Sequence, residues 1–350
     1  MAHGPDTDQL LRDISICNDI LDIAHYHVDC LPPLPPTIKE LRVCFSKLKT
    51  LPSLPPTLKK LYCGHTKLIE LPPLPPTLEF LECSNINLKK LPPLPPTLKE
   101  LHCSNTNIIE LPHLPSTLLF LNCSKTKLTK LPQLPPTLEK IQCYTTKIKE
   151  LPALPSTLTI LDCHNTNLTT LPPLPSTLLE FNCLNTKFTE LPLLPPTLEI
   201  LNCSHTNITT LPLLPTCLKR LGCSNIAVTE LPSLPPTLEW LSCETTKITE
   251  LPPLSPTLIW LECNSTKIIE LPPLPPTLRF LYCDDCPLLI QQMKCETIYD
   301  YNVRWEPLRE KRRIQARCLA VKEELMAAAW HPRRVERWIN ECGIEVLDCM

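Results

Sequence analysis

From Leu31 to residue 290 the chain repeats a twenty-residue block thirteen times, with no insertion or deletion, each copy opening on LPPLPPTL or a close variant. Self-similarity at a fixed short period is the signature of a solenoid, because such a unit cannot bury its apolar side alone and must stack on its neighbours. A residue type that recurs at one position of the unit is therefore stacked on its own copies. That single constraint predicts an elongated scaffold rather than a closed globule.

One unit can be read from Leu98 to Thr117. Leu101 and Cys103 alternate with polar residues at the period of a strand buried on one face. Leu98, Ile108, Leu111 and Leu114 bring aliphatic side chains back to the same interior. The prolines between them fix φ and lack an amide donor, so the return is neither helix nor central strand. A polyproline-like return, its backbone solvated rather than paired, meets both conditions. The chain holds 44 prolines but only 4 glycines, and its prolines are bracketed by leucines. Proline-rich disorder has a different composition, so order is expected.

The pattern LxxLxCxxTxI resembles the leucine-rich repeat, whose usual form is LxxLxLxxNxL. The twenty-residue length and the LPxLPxxL return are similar to repeats of secreted effectors of Gram-negative enteric pathogens. The Cys and Thr substitutions, with the tail string AAAWHPRRVERWINECGIEVLD, resemble leucine-rich-repeat proteins of giant DNA viruses. The resemblance covers residues 18 to 288. It implies an α/β repeat solenoid with parallel strands on a concave face and polyproline-like segments on the convex side.

Two departures from that pattern carry expectations of their own. Thr66, Thr106, Thr126, Thr146, Thr166, Thr186, Thr206, Thr246 and Thr266 stand where the resemblance puts an asparagine that bonds the backbone of neighbouring turns. A hydroxyl can satisfy part of that requirement. Ile86 and Ile226 cannot, and looser turns are expected there. Of 21 cysteines, those from Cys63 to Cys283 recur once per repeat. Stacked parallel side chains seldom reach disulfide geometry, so the column reads as packed thiols in a reducing compartment.

An open solenoid exposes its core at both ends. Residues 1–20 are expected to supply an N-terminal helical cap, with Leu10, Ile14, Cys17 and Leu21 on one face. The solenoid is expected to span 21–290, beginning with a degenerate repeat over 21–30. Residues 291–350, with the helical stripe Ile314, Cys318, Val321 and Leu325, are expected to form a C-terminal cap or a small tail domain. The N-terminus lacks a signal-peptide core and no stretch reaches transmembrane length, so a cytoplasmic protein is expected, in host cytoplasm if viral.

Strand positions on the concave face are the candidate binding surface. One column contains Phe80, Phe120, Ile160, Ile200, Trp240, Trp260 and Phe280, with Tyr282 two residues on. Apolar side chains in a column that faces solvent mark an interface, and Trp and Tyr dominate hot spots. The group Trp240, Trp260, Phe280 and Tyr282 is either a partner site or the seat of the tail helices. Repeating pairs such as Lys147 with Glu150, and Lys247 with Glu250, read as solvated edge ladders.

Other motifs carry less. His25, His27 and Cys30, or Cys283 with Cys286, have ligand-like spacing but no second pair, so no metal and no cofactor are expected. The basic run Arg309–Arg317 is diluted by glutamates, and a net charge of −2 gives no pull towards nucleic acid or membrane. The chain has no phosphate loop and no GxSxG. The expected function is non-enzymatic protein binding. Self-association, or an adaptor whose tail recruits a second partner, are the alternatives.

Overall fold

A computed structural model of the chain describes residues 19–26, 28–269 and 271–287. All lie in the first of two compact units, Met1–Pro287. They form fourteen three-residue strands, one every twenty residues, from β1 (Ile20–Asp22) to β14 (Phe280–Tyr282). The strands build one parallel sheet in strict sequence order. Each residue pairs with its copy twenty positions on, as Leu101 does with Leu121. At about 4.8 Å per strand the array is roughly 60–65 Å long.

The middle residue of each strand points inward. Leu41, Leu61, Leu81, Leu101, Leu121 and their successors are fully buried up to Leu261. Leu98, Ile108, Leu111 and Leu114 close the same interior from the return side. Each fully buried aliphatic side chain contributes about 1.5–3 kcal/mol. One coil departs from the aliphatic rule, placing Phe181 and Phe188 in the core.

The eleven column cysteines from Cys63 to Cys263 are fully buried, and all are free thiols. Several reach the next coil: the Cys63 thiol donates to Glu82 O at 3.2 Å and Cys183 to Asn202 O at 3.3 Å. Burial pushes the Cys103 and Cys203 thiols up to about 12. It raises the other column thiols as well, Cys83 and Cys123 among them. In the last described coil Cys283 is only partly buried.

Two threonine columns do different jobs. The buried one bonds within its own turn, Thr66 Oγ1 donating to Cys63 O at 2.9 Å and Thr206 Oγ1 to Cys203 O at 2.7 Å. Where the resemblance puts bonds to neighbouring turns, the short hydroxyl stem reaches the carbonyl three residues back, and only Thr266 also meets the next coil, at Cys286 Sγ, among the described residues. The second column lies on the return. Thr57 Oγ1 shares its hydrogen between Pro36 O and Ile38 O of the preceding coil, at 2.7 and 2.8 Å. The same stitch recurs at Thr77 and on to Thr277. It supplies the proline-rich return with an inter-coil bond that its backbone cannot make. Cys217 interrupts it.

The two isoleucine turns behave differently. Ile86 and Ile226 are as buried as the threonines they replace. The amide bond that runs back one coil, Lys67 N to Leu48 O at 2.9 Å, survives after Ile226 as Ala227 N to Ile208 O at 3.1 Å. Among the described residues it is not formed at Asn87, after Ile86, where a polar depression of about 240 Å³ opens beside Asn85 and Asn107.

A third column sets the corner. Fourteen residues, one per coil, have φ between 52° and 69°, and none is glycine. Nine are Asn, Asp or His, the types that tolerate this region best. Each amide from His25 to Ser265 donates to the next coil, as Asn85 N does to Ser104 O at 2.9 Å. Their side chains stack outside: His25, Phe45 and His65 are parallel rings, and Asn105 Nδ2 donates to Asn85 Oδ1 at 2.7 Å.

No helix occurs among the described residues. The expected caps over 1–20 and in 291–350 fall outside them, except that Asp19 is described, Ile20 belongs to β1 and Leu21 is its buried centre.

Two outcomes follow. Replacing Cys217 with Thr restores the missing stitch and raises stability by about 0.5–1.5 kcal/mol, read as a higher urea midpoint at unchanged slope. Among the described thiols of the native protein an alkylating reagent modifies exposed Cys30 and Cys217 first, while the eleven column thiols react only after denaturant is added.

Candidate functional site

Alternation about the buried leucine sends the first and third residue of every strand to the outward face. Two columns therefore run side by side along the sheet. The first holds the aromatic residues singled out from sequence. The second holds Tyr62, Glu82, His102, Asn122, Gln142, Asp162, Asn182 and Asn202.

Near the C-terminal end Trp240 pairs in register with Trp260, and Trp260 with Phe280. The Trp260 ring centroid lies 4.9 Å from both Phe280 and Tyr282, with tilted planes. Trp240, Trp260 and Phe280 are half-buried and Tyr282 is exposed. Offset aromatic pairs of this kind add about 0.5–1.5 kcal/mol beyond their burial. Of these four, Trp260, Phe280 and Tyr282 are in ring contact, and Trp240 stands beside Trp260 on the preceding strand. Whether the tail sits on them concerns residues outside those described.

A second aromatic group spans the N-terminal coils. Tyr62 and Phe80 are 4.7 Å apart, Phe80 and His102 5.2 Å, and His102 and Phe120 4.7 Å, a zigzag between the two columns. The Arg42 guanidinium lies 5.5 Å from the Tyr62 ring centre and also pairs with Glu40. Sequence reading found Phe80 and Phe120 but missed Tyr62 and His102. The signal was there, two residues after each first-column position.

Between the groups the surface is polar. The His164 ring stacks on Tyr144 at 4.3 Å, and its Nδ1 lies 2.6 Å from Asp162 Oδ1. Asp162, the Asn182 carboxamide and the Tyr144 ring hold this imidazole in place. Ile160 is half-buried. Ile200, expected on the surface, is buried. Glu180, between them, is partly desolvated, and that burial raises its carboxyl above the usual range, against the opposing pull of Lys140 and Arg220.

Below Trp240 and Trp260 the second column turns inward. Asn202 Oδ1 accepts Ser204 N–H at 3.0 Å, and Ser204 Oγ accepts Ser224 N–H at 3.0 Å. Ser224 and Ser242 hydroxyls meet at 2.7 Å, and Ser242 donates to Glu262 at 3.0 Å. Gly222 leaves the space, since a Cβ there would stand 2.8 Å from Asn202 Oδ1. Asn202 Nδ2 and Trp260 Nε1 are buried donors without a hydrogen-bond partner among the described residues.

The other sequence candidates settle elsewhere. His25 stacks on Phe45, and the Cys286 thiol lies 3.1 Å from Thr266 Oγ1; His27 is outside the described residues. Among the described residues no group of three His, Cys, Asp or Glu is arranged to hold a metal, and no helix is long and apolar enough to cross a membrane. Lys147, Glu150, Lys247 and Glu250 are exposed, yet the described ion pairs of neighbouring coils join other positions, such as Lys99 with Glu79 at 2.7 Å. Register places copies twenty residues apart side by side, which favours pairs between coils over pairs within one.

Comparison with solved structures decides the family. YopM from Yersinia enterocolitica WA-314 is 32% identical, with a TM-score of 0.73 over 81% of this chain and 69% of that one. YopM of Yersinia pestis, a leucine-rich effector protein, is 32% identical at a TM-score of 0.74, over 81% of this chain and 89% of that one. The chain belongs to the leucine-rich-repeat family, in its bacterial-effector form. The functional domain of InlJ from Listeria monocytogenes, which includes a cysteine ladder, is 25% identical at a TM-score of 0.56, over 66% of this chain and 59% of that one. No protein-family model matches the leucine-rich-repeat chain, and no curated protein matches it either.

The raised Glu180 carboxyl gives a pH test. Its folded state binds the proton more tightly than the unfolded state, so ionisation lowers stability as pH rises through the shifted value. Glu180→Gln is expected to raise the urea midpoint at pH 7, with the gain vanishing below about pH 4, where the unfolded carboxyl is protonated too.

Proposed function

We propose that this leucine-rich-repeat protein is a non-enzymatic interaction scaffold that captures a protein partner on the outward face of its sheet. The observation that carries this reading is the placement of large aromatic side chains on the solvent side of a parallel sheet. Trp240, Trp260, Phe280 and Tyr282 form one anchor group, and Tyr62, Phe80, His102 and Phe120 a second. Interfaces draw most of their binding energy from such residues. The stacked coils are ordered before binding, so little ordering entropy opposes capture. Likeness to YopM, an effector, supports a role in which binding itself is the activity. The free-thiol column supports a reducing cytoplasm as the working compartment.

A second reading is self-association through the return side. Leu193 and Leu213 are 90% and 83% exposed on adjacent coils, and an apolar pair of that kind favours contact with another copy. Sedimentation velocity across a range of concentrations separates the two: a species that stays monomeric removes the second reading.

For the first reading, bait protein is used to recover partners from cell extract, comparing wild type with Trp240→Ala/Trp260→Ala. Loss of about 2 kcal/mol or more, roughly thirtyfold in Kd, is expected for the recovered partner. Unchanged capture by a variant whose column thiols remain protected would remove the C-terminal aromatics from the site.

A further inference from the structure

The first outward column has a second period that the twenty-residue unit does not impose. Phe80, Phe120, Ile160, Ile200, Trp240 and Phe280 are apolar, each two coils from the next, and all but the buried Ile200 keep surface open to solvent. The coils between them carry Glu100, Lys140, Glu180 and Arg220 before Trp260 breaks the rule, and Lys60 precedes the run. The charges alternate in sign along the same line: Lys60, Glu100, Lys140, Glu180, Arg220. Register sets each charge directly beside its apolar neighbours, Phe80 opposite Glu100, Glu100 opposite Phe120 and Phe120 opposite Lys140. Stacking of identical coils would give one residue type at every step, as the buried leucine column does. An alternation confined to the outward face is set by what lies against that face.

We propose that this column receives a polyproline-helical segment of a partner protein, laid along the strand array with an apolar residue at every third position. The proposal rests on the outward face being the partner surface and adds the partner's conformation. Strands about 4.8 Å apart place the apolar stations about 9.6 Å apart. A polyproline helix has three residues per turn at 3.1 Å each, so one of its faces returns every ~9.3 Å. Over the five intervals from Phe80 to Phe280 the mismatch accumulates to only about 1.5 Å. An α-helix returns one face every seven residues, about 10.5 Å, and is out of step by about 4.5 Å over the same run. A β-strand returns every second residue, about 6.6–6.8 Å, and falls out of phase at the first interval.

Side-chain chemistry agrees with the spacing. Aromatic-lined grooves are the usual seats of proline-rich segments, and rings stand at the stations of both ends. A polyproline helix makes no internal hydrogen bonds, so its carbonyls are open to donors. Asn122 and Gln142 stand in register in the second column and carry such donors. The charged stations call for a partner with one charge per turn, acidic against Lys60, Lys140 and Arg220 and basic against Glu100 and Glu180.

The test uses the full chain and a fluorescein-labelled peptide of about six Leu-Pro-Xaa triplets with Xaa alternating Glu and Lys, read by anisotropy. Saturable binding is expected, weakened roughly tenfold when every Xaa is Glu or every Xaa is Lys. A peptide of the same composition with leucine at every second position is expected to bind at least tenfold more weakly than the matched one. Phe120→Ala and Trp240→Ala should each weaken the matched peptide. Glu100→Lys with Glu180→Lys, on the outward face and so outside the core, should turn the preference to the all-Glu peptide. Equal binding of matched and period-two peptides, or matched binding indifferent to these substitutions, overturns the proposal. Partner capture that still depends on Trp240 and Trp260 would then leave the surface reading standing.

Discussion

Each coil turns at a residue held in the left-handed region, and the solenoid exists because neighbouring coils make that corner tolerable. A non-glycine residue there is strained by about 1–3 kcal/mol. The corner occurs fourteen times. Its amide donates across to the next coil, so the strain is offset only when a neighbour is present. An isolated unit would carry the strain without the bond. Stability is thus a property of the stack.

From that corner the rest follows in order. It turns the chain two residues past the buried thiol that follows each strand, which keeps the unit short. The short unit leaves room for cysteine where a longer side chain would crowd the interior. The return then has to run without backbone pairing, and proline is suited to that. The Thr57-type hydroxyl replaces the inter-coil bond that prolines cannot donate. What remains free of these duties is the outward face, where residue choice varies from coil to coil.

The proposed function draws on that freedom. The two aromatic groups differ in make-up, one built on tryptophan and one on a tyrosine, phenylalanine and histidine zigzag. Between them lie fixed polar groups, including the His164–Asp162 pair. In the proposed scaffold, apolar surface at the two ends would supply burial and the charged middle alignment, charge contributing more to specificity than to affinity.

The repeat alone determined the parallel stack, the buried leucine and cysteine columns and the proline return, because a residue repeated at one position has no other place to go than against its copies. It also determined which aromatics face out in the first column. The Thr66-type bond within the turn and the Thr57-type bond across coils were not distinguishable from sequence, since both are a threonine recurring at twenty; only backbone direction assigns the acceptor. The left-handed corner was signalled by Asn85, Asn105, His205 and their copies, but five other residues there blur the signal. Tyr62 and His102 joined the site only through cross-strand packing that places side chains from adjacent coils in contact. Ile200 shows the reverse case: alternation put it outside, and the bulk of its neighbours buried it. Periodicity decides which face a side chain takes, and the packing of unlike neighbours decides how much water it keeps.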